Sequence, residues 1–93
     1  MSKTNSKKLA KELGISRARG MEAIMKAELI SAILDVIEKN DMTHAEIADR
    51  SGLPRSAVTG ILSGSLQKVT IDRILRLIEA VDLAVKIQVK KAA

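Results

Sequence analysis

At 93 residues, with 16 Lys/Arg against 11 Asp/Glu and a formal charge of +5, the chain has room for one small domain and excludes a second. The absence of cysteine removes disulfides, zinc fingers, iron–sulfur sites and thiol nucleophiles. The absence of Phe, Tyr and Trp leaves a core tiled from Ile, Leu, Val, Ala and four Met, and no stacking platform for single-stranded nucleic acid.

A chain of this size buries roughly 60–65% of its unfolded surface, and an aliphatic core that thin favours association with a second copy. Residues 1–20 contain no apolar run of the roughly 7–15 residues that a signal peptide needs, and no window reaches the roughly 18 of a membrane span. A soluble, cytoplasmic protein without membrane contact is expected. Charge is unevenly spread: residues 1–20 hold six Lys/Arg and one Glu, residues 21–83 seven Lys/Arg and ten Asp/Glu, and residues 84–93 three Lys. Both ends are basic and the middle is mildly acidic. A basic end is either a solvated tail or an arm on nucleic-acid phosphates, where released counterions strengthen binding at low salt. Lacking aromatic residues, the chain suits duplex DNA better than single strands.

In chain order, Leu9 and Leu13 inside KKLAKELG suggest one or two helical turns ending at Gly14. Over residues 22–40 the apolar positions Ile24, Ala27, Ile30, Ile33, Leu34 and Ile37 recur at three- and four-residue steps, which predicts one helix face, closed by Asn40 and Asp41. Residues 43–51 predict a second helix, with Thr43 and Glu46 at capping-box spacing and Ile47 and Ala48 facing inward. Gly52 breaks it. Pro54 suits the first position of a further helix running to about Leu62, because its fixed φ fits there and its missing N–H is not needed. Thr70 caps a helix over residues 71–81 with a stripe of Ile71, Ile74, Leu75 and Ile78. After Asp82 the period changes to two, with Val85, Ile87 and Val89 alternating with Lys86, Gln88 and Lys90, the pattern of a β-strand.

A lone strand cannot satisfy its own backbone. The expected solution is an antiparallel ribbon between two copies about a two-fold axis, making Val85, Ile87 and Val89 the dimer contact. Pairing with an N-terminal arm of the same chain is the alternative. The division is thus a basic segment over residues 1–20, a helical domain over residues 21–83, and a dimerisation strand and tail over residues 84–93.

The informative stretch is THAEIADRSGLPRSAVTGILSGS, residues 43–65. A helix-turn-helix needs a small residue where the first helix crosses the second, a residue tolerant of positive φ in the turn, and apolar residues pinning the second helix. Ala48, Gly52, Val58 and Ile61 supply these in order. Through this stretch and the following TIDRILRLIEAVDL, about residues 24–81, the chain resembles the Cro/phage-repressor (XRE) class of helix-turn-helix proteins. With its basic N-terminal segment and terminal VKIQVKK, it looks most like the short HigA-type antitoxins. The resemblance implies a mainly α, lambda-repressor-like bundle of four to five helices with a C-terminal β-strand. It also implies a homodimeric, sequence-specific repressor of duplex DNA and, in the antitoxin case, a small basic RelE-like ribonuclease toxin as partner.

In such a fold, residues 54–62 form the recognition helix, whose first turn meets base edges in the major groove. Arg55 can bind guanine O6 and N7 together, or else make a phosphate contact or a surface salt bridge. Ser56 and Thr59 share one face and can exchange hydrogen bonds with bases, though exposed hydroxyls are ordinary on helices. Gly60 empties a position that in the resembled family often carries a reading side chain, and costs roughly 1 kcal/mol relative to Ala within a helix. It permits either close approach to DNA or tight helix packing. His44 begins the second helix where that family commonly has a phosphate-touching Gln; its ring can donate to phosphate or lie idle at the surface. Ser63, Ser65 and Lys68 follow the recognition helix, where they can fix register on the DNA backbone. Arg73 and Arg76 read as a solvated face.

An enzyme is not expected. The only His has no matched nucleophile, no Gly-rich phosphate loop occurs, and the carboxylates fall at helix caps and i,i+4 positions. No catalytic residue, cofactor or metal is assigned, and the rival reading is a helical protein–protein interaction module without DNA binding.

Overall fold

The computed structural model describes residues 16–64 and 68–91. Helix α1 spans Arg17–Lys39 and starts from Ser16, whose hydroxyl accepts from the Arg19 amide at 3.2 Å. It therefore begins five residues before the start at residue 22 that the apolar period suggests, because the cap sets the start. Ile30 and Ile33 are buried, with Leu29, Val36 and Ile37 packed beside them, while Ala27 and Leu34 are exposed. Its apolar stripe is narrower than the sequence suggests. Lys26 is buried in this helix, with its Nζ 3.5 Å from Glu22 Oε1.

Helix α2 spans His44–Ser51 behind the predicted capping box. The Glu46 amide donates to Thr43 Oγ1 at 3.1 Å and the Thr43 amide to Glu46 Oε1 at 3.3 Å. At its far end Gly52 takes a φ of 75°, the left-handed conformation expected of it, and its amide donates to the Ala48 carbonyl at 3.0 Å. Ser51 closes the turn: its hydroxyl accepts from the Leu53 amide at 3.2 Å, and Leu53 goes into the core.

Helix α3 spans Arg55–Leu62. Pro54 is its N-cap, with a ψ of 146°, not its first helical residue. Its carbonyl nonetheless accepts from the Ala57 and Val58 amides, so the fixed ring still sets the helix start. Helix α4 spans Ile71–Ala80 from the Thr70 cap, whose hydroxyl accepts from the Arg73 amide at 3.3 Å. Its buried residues are Ile74, Leu77, Ile78 and Ala80; Leu75, counted on the stripe from spacing, is 41% exposed, because Leu77 faces the core instead.

The core joins Ile30 and Ile33 of α1, Ile47 of α2, Leu53 of the turn, Val58 and Ile61 of α3, and the inward face of α4 with Val81. Helix α2 packs against both α3 and α4, and α1 packs against α4. An unanticipated tie reinforces this: the Arg50 guanidinium donates to the Ala80 carbonyl at 3.3 Å and lies 3.9 Å from Asp82 Oδ2, linking the ends of α2 and α4.

The four helices agree with the expected helical part of the bundle, but the C-terminal β-strand is overturned. Residues 83–91 form no strand, and among the described residues no other strand exists. Alternation makes a segment fit for a sheet edge, but only ladder bonds to a neighbouring backbone make it a strand. Val85, Ile87 and Val89 are instead exposed, at 44%, 75% and 89%. The expected turns around Leu9 and Leu13 lie outside the described residues. No described helix is long and apolar enough to cross a membrane.

Both α1 and α4 end on a left-handed aspartate, Asp41 with φ 49° and Asp82 with φ 61°. In each case the next amide reaches back, Met42 to the Ile37 carbonyl at 3.1 Å and Leu83 to the Ile78 carbonyl at 3.0 Å. This is the Schellman arrangement that glycine fills most readily, and here it carries a negative charge at the negative end of the helix dipole. Asp41→Gly is therefore expected to stabilise the protein by about 1 kcal/mol. A raised urea midpoint with an unchanged m-value would show it; a lowered midpoint would refute it.

Candidate nucleic-acid interface

Because α2 supplies the main support of α3, the inner residues of α3 are fixed and the outer ones are displayed. Val58 and Ile61 are 0% and 3% exposed. On the opposite side Arg55, Ser56 and Thr59 are all exposed. Arg55 is the first residue of the helix, and its guanidinium makes no hydrogen bond or ion pair among the described residues. Pro54 offers no side-chain cap, so the Arg55 and Ser56 amides at the helix start have no side-chain acceptor, a position that favours anions.

His44, half-buried at the start of α2, reaches this face by an unexpected route. Its Nδ1 lies 2.9 Å from Thr59 Oγ1, so the first residue of one helix is hydrogen-bonded to the displayed side of the next. Fifteen residues separate the pair, and no local pattern announces it. Ser63 is exposed but turned onto its own helix, donating to the Gly60 carbonyl at 2.9 Å. Lys68 is exposed beyond the helix. Ser65 lies outside the described residues. Arg73 is exposed, and Arg76 is bound to Asp72 at 3.3 Å on the surface of α4. Among the described residues no cluster of three or more His, Asp or Glu could hold a metal ion.

Gly60 sits among these residues on α3. A Cβ built there meets nothing within 4 Å. Tight packing against another described helix is therefore not the reason for the glycine.

The arrangement is a short, well-buttressed helix reached through a glycine turn and showing a small polar face beside one uncommitted arginine. The family of helix-turn-helix domains matches residues 9–90. The chain belongs to that family. Its helix-turn-helix comprises α2, the Gly52 turn and α3, and membership points to a DNA-binding regulator. No curated protein and no solved structure matches the chain.

Filling the space at Gly60 gives a direct check on this helix-turn-helix. Gly60→Ala should raise stability by roughly 0.5–1 kcal/mol, the helix-propensity difference, since no clash opposes it. That corresponds to a Tm increase of up to about 4–8 °C in a domain of this size. A lower Tm would mean that the position is packed after all.

Proposed function

We propose that this protein is a sequence-specific transcriptional repressor of duplex DNA, of the Cro/phage-repressor (XRE) kind, acting in the cytoplasm as a homodimer. The observation that carries the reading is the outward first turn of α3, with Arg55, Ser56 and Thr59 exposed on a helix whose other side is locked into the core. Arg55 is the side chain suited to guanine, because its planar fork matches O6 and N7 together. Ser56 and Thr59 read neighbouring bases. The amides at the start of α3, His44, Ser63, Ser65, Lys68 and the basic residues of both chain ends serve the phosphates.

Arg55→Ala should cost about 1–3 kcal/mol of discrimination at one base position while leaving the helical circular dichroism unchanged. For the wild-type chain, affinity for duplex should fall steeply between about 50 and 200 mM salt, with a log–log slope of about −0.9 per phosphate contacted. An affinity indifferent to salt, or an Arg55→Ala protein with undiminished discrimination, would favour a protein-binding module instead.

Two copies present two α3 helices, and a two-fold dimer would address half-sites about 34 Å apart. We assign the dimer contact to Val85, Ile87 and Val89, apolar side chains that stand in solvent on the single chain. Replacing all three by Ser should convert a dimer into a monomer in sedimentation equilibrium; an unaltered mass would place the contact elsewhere.

The second reading makes this repressor the antitoxin of a HigA-type pair whose partner is a RelE-like toxin. It is favoured by Glu28, Asp35 and Glu38, which line a shallow groove along α1 and suit a basic partner. A neighbouring reading frame without a small basic chain would remove it.

A further inference from the structure

The bond between His44 and Thr59 restricts what each can offer to DNA, an inference that rests on α3 as the reading helix. The Thr hydroxyl has one proton and two lone pairs, and a neutral imidazole has one N–H and one bare nitrogen. Only one proton can lie between Nδ1 and Oγ1 across their 2.9 Å. If the threonine supplies it, the ring proton is on Nε2, and Oγ1 is left with lone pairs only. If the ring supplies it from Nδ1, Nε2 is bare and the threonine O–H is free to donate. With a neutral ring, Nε2 and the threonine O–H therefore cannot both donate. Nε2 makes no hydrogen bond among the described residues and is the atom left to decide which form prevails.

A DNA phosphate only accepts. With a neutral ring, contact with it selects the Nε2–H form, which makes Thr59 donate to Nδ1 and turns its oxygen into an acceptor toward the groove. In the major groove the donors are the amino groups of cytosine N4 and adenine N6, whereas guanine O6 and N7 and thymine O4 accept. We propose that His44 is a positioning residue which, by holding phosphate through Nε2 and Thr59 through Nδ1, makes Thr59 an acceptor that selects cytosine or adenine. Backbone contact and base choice are then one unit, although the two residues belong to different helices.

The test uses the full chain and a randomised duplex library in mildly alkaline buffer. The wild-type chain is expected to select one base pair at the position read by Thr59, identified as the one preference that Thr59→Val abolishes, and to lose that preference when the pair's exocyclic amino group is removed, with 2-pyrimidinone in place of cytosine or purine in place of adenine. His44→Ala should abolish the same preference. On the selected duplex each substitution should weaken binding roughly five- to tenfold, and the double variant should lose little more than the worse single one. His44→Asn sets a polar atom near the place of Nδ1 but cannot reach as far as Nε2. It should keep the base preference while weakening all duplexes alike, and it supplies the answer should His44→Ala fail to fold.

An affinity for the selected duplex that is unchanged when the exocyclic amino group at that base pair is removed overturns the proposal. So do losses that multiply in the double variant, or a His44→Ala protein with the wild-type preference and uniformly lower affinity. A wild-type chain that selects no sequence overturns the repressor reading, and this inference with it. One that selects a sequence while the two losses multiply overturns only the pairing.

Discussion

The grip of α2 on α3 is the constraint on which everything else depends. Helix α3 has only eight residues, too few to persist alone in water. It is helical because Val58 and Ile61 are held in a core shared with Ile47, and because the chain enters it through a turn with little freedom. That turn is fixed at three points: the left-handed Gly52, the Ser51 hydroxyl on the Leu53 amide, and Leu53 in the core. A helix so short, held so firmly on one side, projects its other side in a fixed direction. The direction is what a reader of a groove requires.

The grip in turn needs α2 to be anchored. Helix α4 does this by packing along it and by receiving Arg50 on the Ala80 carbonyl, while α1 backs α4. The bundle is thus a chain of supports ending at α3. The His44–Thr59 bond adds a polar link on the outer side of the same pair of helices, where apolar packing cannot reach. Two adjacent helices are thereby joined at both faces, and chemistry at the start of α2 is felt on the displayed face of α3.

Local signals were legible in the sequence wherever the physics is local. The Thr43–Glu46 box, the Gly52 turn, the Thr70 cap and the helix ends at Asn40 and Val81 each depend on groups within a few residues of one another. The reading failed where the partner is distant. Spacing placed Leu75 on the buried stripe, yet the direction of α4 relative to α2 turns Leu77 inward instead. Alternation makes residues 85–89 fit for a strand, yet a ladder needs a second backbone, and none pairs with them among the described residues. At Gly60 the sequence permits packing against a neighbouring helix, yet the space beside it is open among the described residues.

The sequence by itself determined four helices, the Thr43 and Thr70 caps, the positive-φ turn and the identity of the side chains on the outer face of α3, because hydrophobic period and capping act over one or two turns. Tertiary structure alone decided which aliphatic residues meet in the core, that Arg50 closes on α4, and that His44 touches Thr59. The two polar contacts join residues 15 and 30 positions apart, the core reaches from Ile30 to Val81, and the formation of all of them depends on how helices settle against each other, which no short window of residues specifies.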